Sequence, residues 1–272
     1  MPEEEGPQHT VSLLPWLKLA DSVEIDNVVF WPIPAMIDRF DPTEVFKRQL
    51  RLIFSGYLDV KGTPVGELTA VSFRDDPFKD ISSEEAGRIS EMVRLLAFSV
   101  MAENDYYRQA GQYFNVTSFQ HYHQRFRLGS VWVAPNTRRR DGTTLQGGYK
   151  HGELKFTMPL QATTPLEARP NHSLLQGLVN LLRQETAEAT ATRQAIDWYF
   201  LANTDSDSVS LRTEVVMMAS AFEALLQVQD GRGKKEALME RLPILFASRL
   251  TDESERIGKD DKREKRSWKV CG

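Results

Sequence analysis

Between Val215 and Leu226 the chain carries only two polar residues, Ser220 and Glu223, within the stretch EVVMMASAFEALLQ. At about 100° per residue, Leu211, Val215, Met218, Phe222, Leu225 and Leu226 share one helix face. Met217, Ala221 and Val228 make much of the other side apolar as well. A helix that is apolar nearly all round belongs inside a bundle, so this one element commits the last third of the chain to helix-on-helix packing. It also places a carboxylate where an unpaired charge is costly or is neutralised by a raised pKa. Glu223 is therefore expected to meet a cation, with Arg183, Arg193 and Arg241 on neighbouring helices as the candidates, or to reach a cleft. The alternative is a boundary residue whose carboxylate turns to water.

The flanking sequence supports helices on both sides. Residues 174–204 read as one long or broken helix, and the capping residues of DSDSVS follow. DGRG stops the apolar helix, and KKEALMERLPILFASRL is expected as a third, with Pro243 starting a new turn or bending its axis. Pro159, Pro165 and Pro170 punctuate the approach to this region, which sets an expected division into residues 1–165 and 166–272. No strand is expected beyond it.

The first part mixes periods. Val23, Ile25, Val29 and Trp31 alternate as on a half-buried strand that Pro32 and Pro34 end. RLIFSGYLDV and GELTAVSF, joined by KGTP, read as a hairpin. Ser82 with Glu85 three residues on is a capping-box pattern, and Ala86, Ile89, Val93, Leu96 and Val100 then recur at helical steps. SVWVAP and ELKFTMPL read as strands flanking a long Gly-, Thr- and Asn-rich link. The expected fold class is α+β: a mixed, strand-containing N-terminal domain followed by an incomplete α-helical bundle.

The order of an aromatic-bearing helix (AIDWYFLAN), a short polar loop, VVMMASAFEALLQ, a Gly-bearing loop and KKEALMERLPILF resembles the ApeA-like branch of the HEPN superfamily. Ala221, Glu223 and Leu225 match that branch's alanine–x–glutamate–x–leucine helix, and Arg241 matches the arginine of the helix that follows. The resemblance covers roughly residues 171–269. It implies a metal-independent endoribonuclease, working as a homodimer through its helical bundle, in a toxin–antitoxin or antiphage system. In such sites an Arg followed four to six residues later by a His stabilises phosphate charge and moves a proton as the RNA 2′-hydroxyl attacks. The histidines here are His9, His121, His123, His151 and His172, and none has an Arg at that spacing before it. The chain is therefore expected to be a fragment that stops before the motif, or else a non-catalytic member; as given it is not expected to cleave RNA by this route. No catalytic residue is assigned, and the alternative function is a dimerisation or partner-binding module.

Other constellations carry less. His121 and His123 stand two apart, as for a metal, but no third ligand can be assigned, so neither a metal nor a cofactor is expected. Arg138, Arg139 and Arg140 cluster with Lys150 and His151 beyond them, and Arg125, Arg127, Tyr122, Phe126 and Tyr149 lie nearby. Such a group can contact RNA, though a charged hairpin tip that keeps a sheet edge soluble is the simpler account. DESERIGKDDKREKR mixes both signs and reads as a solvated face or loop. The net charge of -4 argues against a chain-wide nucleic-acid field. The lone Cys271 forms no internal disulfide, the acidic N-terminus has no signal-peptide pattern, and no apolar run is long enough for a bilayer, so the reading is cytoplasmic and without a membrane contact.

Overall fold

The computed structural model describes residues 7–102, 116–138, 144–158, 166–204 and 209–227. Its first half is organised by an antiparallel sheet. The strands are β1 (Gln8–Leu14), β3 (Val23–Ile25), β4 (Val28–Pro32), β6 (Thr69–Phe73), β7 (Tyr122–Arg127), β8 (Trp132–Arg138), β9 (Thr144–Gln146) and β10 (Tyr149–Lys150). They lie in the order β10-β8-β7-β1-β6-β4-β3, with β9 also pairing β8. Two short parallel pairs sit beside it: β2 (Leu17–Leu19) with β12 (Leu166–Ala168), and β5 (Tyr57–Leu58) with β11 (Phe156–Thr157).

Helices cover both faces. On one side α1 (Ile33–Phe40) and α2 (Glu44–Phe54) bury Met36, Phe46, Leu50 and Ile53 against Val11, Leu13, Val29, Trp31 and Ala70. On the other, α3 (Ser83–Met101), α4 (His172–Leu182) and α5 (Ala187–Ala202) bury Leu96, Val179 and Phe200 against Leu14, Val28, Phe30, Val71 and Phe73. Alternate residues of one strand thus enter two separate cores, as strand geometry requires when both faces are covered. Among the described residues no helix is long and apolar enough to cross a membrane.

Several elements follow directly from local chemistry. The expected capping box forms: Ser82 accepts from the Glu85 amide at 3.2 Å, and the Glu85 carboxylate accepts from the Ser82 amide at 2.9 Å. The 174–204 segment breaks into α4 and α5, with the Thr186 side chain capping α5. The strand expected over 23–33 is instead a hairpin: Asp26, at φ 60, makes the left-handed turn between β3 and β4. That turn is pinned from outside, because the Asp26 carboxylate accepts from Arg88 on α3 and from Arg183, the C-cap of α4, at 2.6 Å. The Arg88 guanidinium holds the Asp26 carboxyl below the usual carboxylate range.

The hairpin expected from RLIFSGYLDV and GELTAVSF does not form. Arg51–Phe54 close α2, whose Thr43 cap and Phe46, Leu50 and Ile53 at helical spacing outweigh the strand-like composition of RLIF. β5 then pairs β11, while β6 pairs β1 and β4. Of the two strands expected to flank the Gly-rich link, the one within 130–135 pairs β7, β9 and β10, and the described part of the other is β11, paired with β5. The division expected at 165/166 falls beside residues 159–165, which lie outside the described residues. Beyond it, β12 is a strand where none was expected, and α4 and α5 share the core of α3.

Phe30 is fully buried between α3 and the sheet. Phe30→Ala is expected to cost about 3–5 kcal/mol, whereas Val45→Ala on the exposed side of α2 is expected to cost under about 0.5 kcal/mol. Urea unfolding of the two variants beside the parent checks the difference.

Candidate functional site

A cleft opens among the described residues where the sheet region meets the helices. It measures about 890 Å³. Val93, Arg94 and Ala97 of α3 form one wall, and Asp197, Phe200 and Leu201 of α5 form the opposite one. The floor is the 3-10 turn Val116–Phe119 running through Gln120 and His121 into Tyr122 of β7. The Val116 amide donates to the Asn203 carbonyl at 3.0 Å, which ties this turn to the end of α5. Apolar walls with a few convergent polar groups are the usual construction of a small-molecule site.

The polar groups are arranged in pairs. Arg94 bonds the Asp197 carboxylate across the cleft, and its guanidinium lies 5.3 Å from the Phe200 ring centroid. Burial draws the Arg94 pKa down. The Tyr122 hydroxyl donates to Gln120 Oε1 at 3.2 Å, and burial pushes its pKa up to about 12. Tyr122 therefore offers a neutral phenol, and the Gln120 amide retains donor capacity.

His121 and His123 stand edge to face, with ring centroids 5.2 Å apart. His121 Nε2 and Ser90 Oγ share a hydrogen bond of 2.9 Å; His123 Nδ1 and Ser12 Oγ share one of 2.7 Å. Burial pushes His121 down to about 4 and His123 to about 3. Both imidazoles are neutral near pH 7, and each has a ring nitrogen bound to a serine. Among the described residues no group of three or more His, Cys, Asp or Glu is placed to hold a metal ion.

The residues singled out by sequence are distributed differently. Helix α6 (Leu211–Leu225) packs along α5, but the face chosen by periodicity is not the one buried. Ala221 is its only buried residue, and Glu214, Met217 and Ala224 are half-buried beside it. Leu211 is 76% exposed and Val215 62%, and Phe222 and Leu225 are exposed too. The expectation of a helix buried on all sides is thus corrected for the described residues: α6 buries Ala221 and half-buries Glu214, Met217 and Ala224. Of the matched pattern, Ala221 is buried, Glu223 half-buried and Leu225 exposed.

Two expected cation partners of Glu223 bind elsewhere. Arg183 bonds Asp26, and Arg193 donates to the Leu182 carbonyl at the end of α4. Arg241, Arg139 and Arg140 lie outside the described residues, as do the expected third helix, Cys271 and the mixed-charge run. Arg138 is the last residue of β8, its backbone paired with Thr144. The cleft residues Arg94, Asp197 and Gln120 were not found by sequence reasoning. Their one signal was a polar residue within each of two apolar helices, Arg94 in α3 and Asp197 in α5.

No family model, no curated protein and no solved structure matches the chain.

The histidine pair makes stability depend on pH with a definite sign. The folded pKa of His123 lies below its ordinary 6.5, so its contribution is complete above pH 6.5 and is lost as pH falls toward about 3. In that window the unfolded chain takes up a proton that the folded chain refuses, at up to about 1.4 kcal/mol per pH unit. Urea unfolding between pH 6.5 and about 4 is expected to show this loss. The slope is expected to be shallower in His123→Gln.

Proposed function

We propose that the chain is a two-part binding protein of HEPN type. Its sheet region and α5 hold a ligand between them, and α6 associates with a second copy. The observation that carries this reading is that one helix pair serves both ends. α5 supplies a wall of the 890 Å³ cleft, and α6, packed along it, presents an apolar stripe to solvent. Leu211, Val215, Met218, Phe222 and Leu225 follow at steps of four, three, four and three, the spacing of a helix–helix seam. A ligand that shifts α5 would shift the associating surface with it.

On the nuclease form of this reading, two copies meet through their helices in the cytoplasm and act on RNA without a metal, in defence against phage or as a toxin. That form needs an Arg-x(4–6)-His segment, which these 272 residues lack. The exposed stripe of α6 equally supports the second reading, a non-catalytic dimerisation or partner-binding module, because association needs no catalytic motif. An open reading frame that continues into such a segment, together with RNA cleavage by its product, separates the two.

Sedimentation velocity is expected to show a concentration-dependent dimer. The double substitution Val215→Lys, Phe222→Lys is expected to give a monomer of unchanged circular dichroism. A parent chain that stays monomeric across the accessible concentration range would remove the association.

A further inference from the structure

Among the described residues, the helices on the α3 side cover only part of the sheet. Their core takes in side chains of β1, β3, β4 and β6, but none from β8 or β10. Phe126 and Val133 are buried on the opposite face, against the α1–α2 side. Their neighbours along β7 and β8 therefore point to the α3-side face, which is open at Trp132. Register fixes who meets whom there. Thr10, Arg125 and Ala134 lie opposite one another across β1, β7 and β8, and there residues 80 and 81 close the face: Thr10 is buried and bonds Asp80, and Arg125 pairs with Asp80 and donates to the Ile81 carbonyl. Two residues on, Lys150 of β10 lies opposite Trp132 of β8. The β7–β8 register, continued one step past Phe126 and Val133, sets Arg127 on the other side of Trp132. Directly opposed side chains on a sheet face stand roughly 5 Å apart.

We propose that this row, an indole with a cation on either side, is a binding surface for a single-stranded nucleic acid, with a base stacked on Trp132 and a flanking phosphate met by Lys150. Trp132 is 54% exposed on a sheet whose other large aromatics are mostly buried. A lysine on an edge strand guards against edge-to-edge pairing, which accounts for Lys150 but not for an indole kept in water beside it. Open sheet faces with exposed aromatics and nearby cations suit unpaired bases, because stacking tolerates any base and the cations track the backbone. An extended peptide would instead use the free backbone edge of β10, and would not call for the aromatic. Of the group read from sequence the surface keeps Lys150 and Arg127 but is centred on Trp132, away from the arginine run. Arg138 lies six residues along β8 from Trp132, roughly 20 Å away.

The proposal does not depend on the reading of the helices, and its test is separable from theirs. Fluorescence anisotropy of the full chain with labelled single-stranded oligouridylate and oligothymidylate is expected to show binding that weakens with salt. Trp132→Ala is expected to weaken it on the order of tenfold, and Lys150→Glu to weaken it and lower the salt slope by about one. Trp198→Ala, at an exposed tryptophan of α5, is expected to leave it unchanged. Circular dichroism confirms the fold of each variant, which the exposure of these side chains favours. No binding by the parent chain, equal binding of a duplex, or unchanged binding in Trp132→Ala would each overturn the proposal.

Discussion

The double burial of β1, β4 and β6 is the constraint on which the rest of the structure depends. Val28 and Phe30 of β4 enter one core while Val29 and Trp31 enter the other. Each large side chain withdrawn from water in this way contributes roughly 1.5–3 kcal/mol, but only if helices cover both faces. Polar groups caught between the layers must then find partners inside. Trp31 Nε1 donates to Ser72 Oγ at 3.0 Å, Thr69 Oγ1 donates to the Leu17 carbonyl at 2.7 Å, and Ser12 pairs with His123. These bonds lock side chains whose partners lie far off in sequence, so the register of the sheet and the placement of the helices are fixed together.

The position of the helical layer follows from the same packing and from one charged contact. Asp26, at the tip of the β3–β4 hairpin, receives guanidinium groups from α3 and from the end of α4. Arg193 of α5 in turn holds the last turn of α4. The three helices are thereby drawn toward the β3–β4 side. Two features result at the margin of the covered area: the cleft under Arg94 and Asp197, and the open face that carries Trp132. Both candidate surfaces are thus consequences of where the helices stop.

Much of the helical content was legible in sequence, because a capping residue and a 3.6-residue period are local signals. Ser82 with Glu85, and the apolar steps from Ile89 to Val100, located α3. The sheet was harder to read for the reason that makes it stable. A strand buried on both faces loses the alternation that marks a half-buried one, so β1 went unread; β3 and β4 merged into one because the apolar alternation of Val23, Ile25, Val29 and Trp31 runs in step across the turn at Asp26. β-like composition in Arg51–Phe54 concealed the end of α2, since Leu52 and Ile53 suit either state. Glu223 drew attention through its apolar neighbours, yet the one residue of α6 that is buried is Ala221, while Leu211, Val215 and Phe222 stay exposed. The cleft could not be seen in advance: Arg94 and Asp197 are 103 residues apart, and only the packing of α3 against α5 brings them together.

Native-state hydrogen exchange tests the central claim most directly. If the sheet and the two helical layers form one cooperative core, amides of β1, β4 and β6 are the slowest in the chain. Those in the middle of α2, α3 and α4 then open with nearly the same free energy as the sheet, that of global unfolding. Rapid exchange in β4 or β6, or α3 and α4 opening well before the sheet, would contradict the account. Either outcome would show that the helices merely rest on a sheet that does not need them.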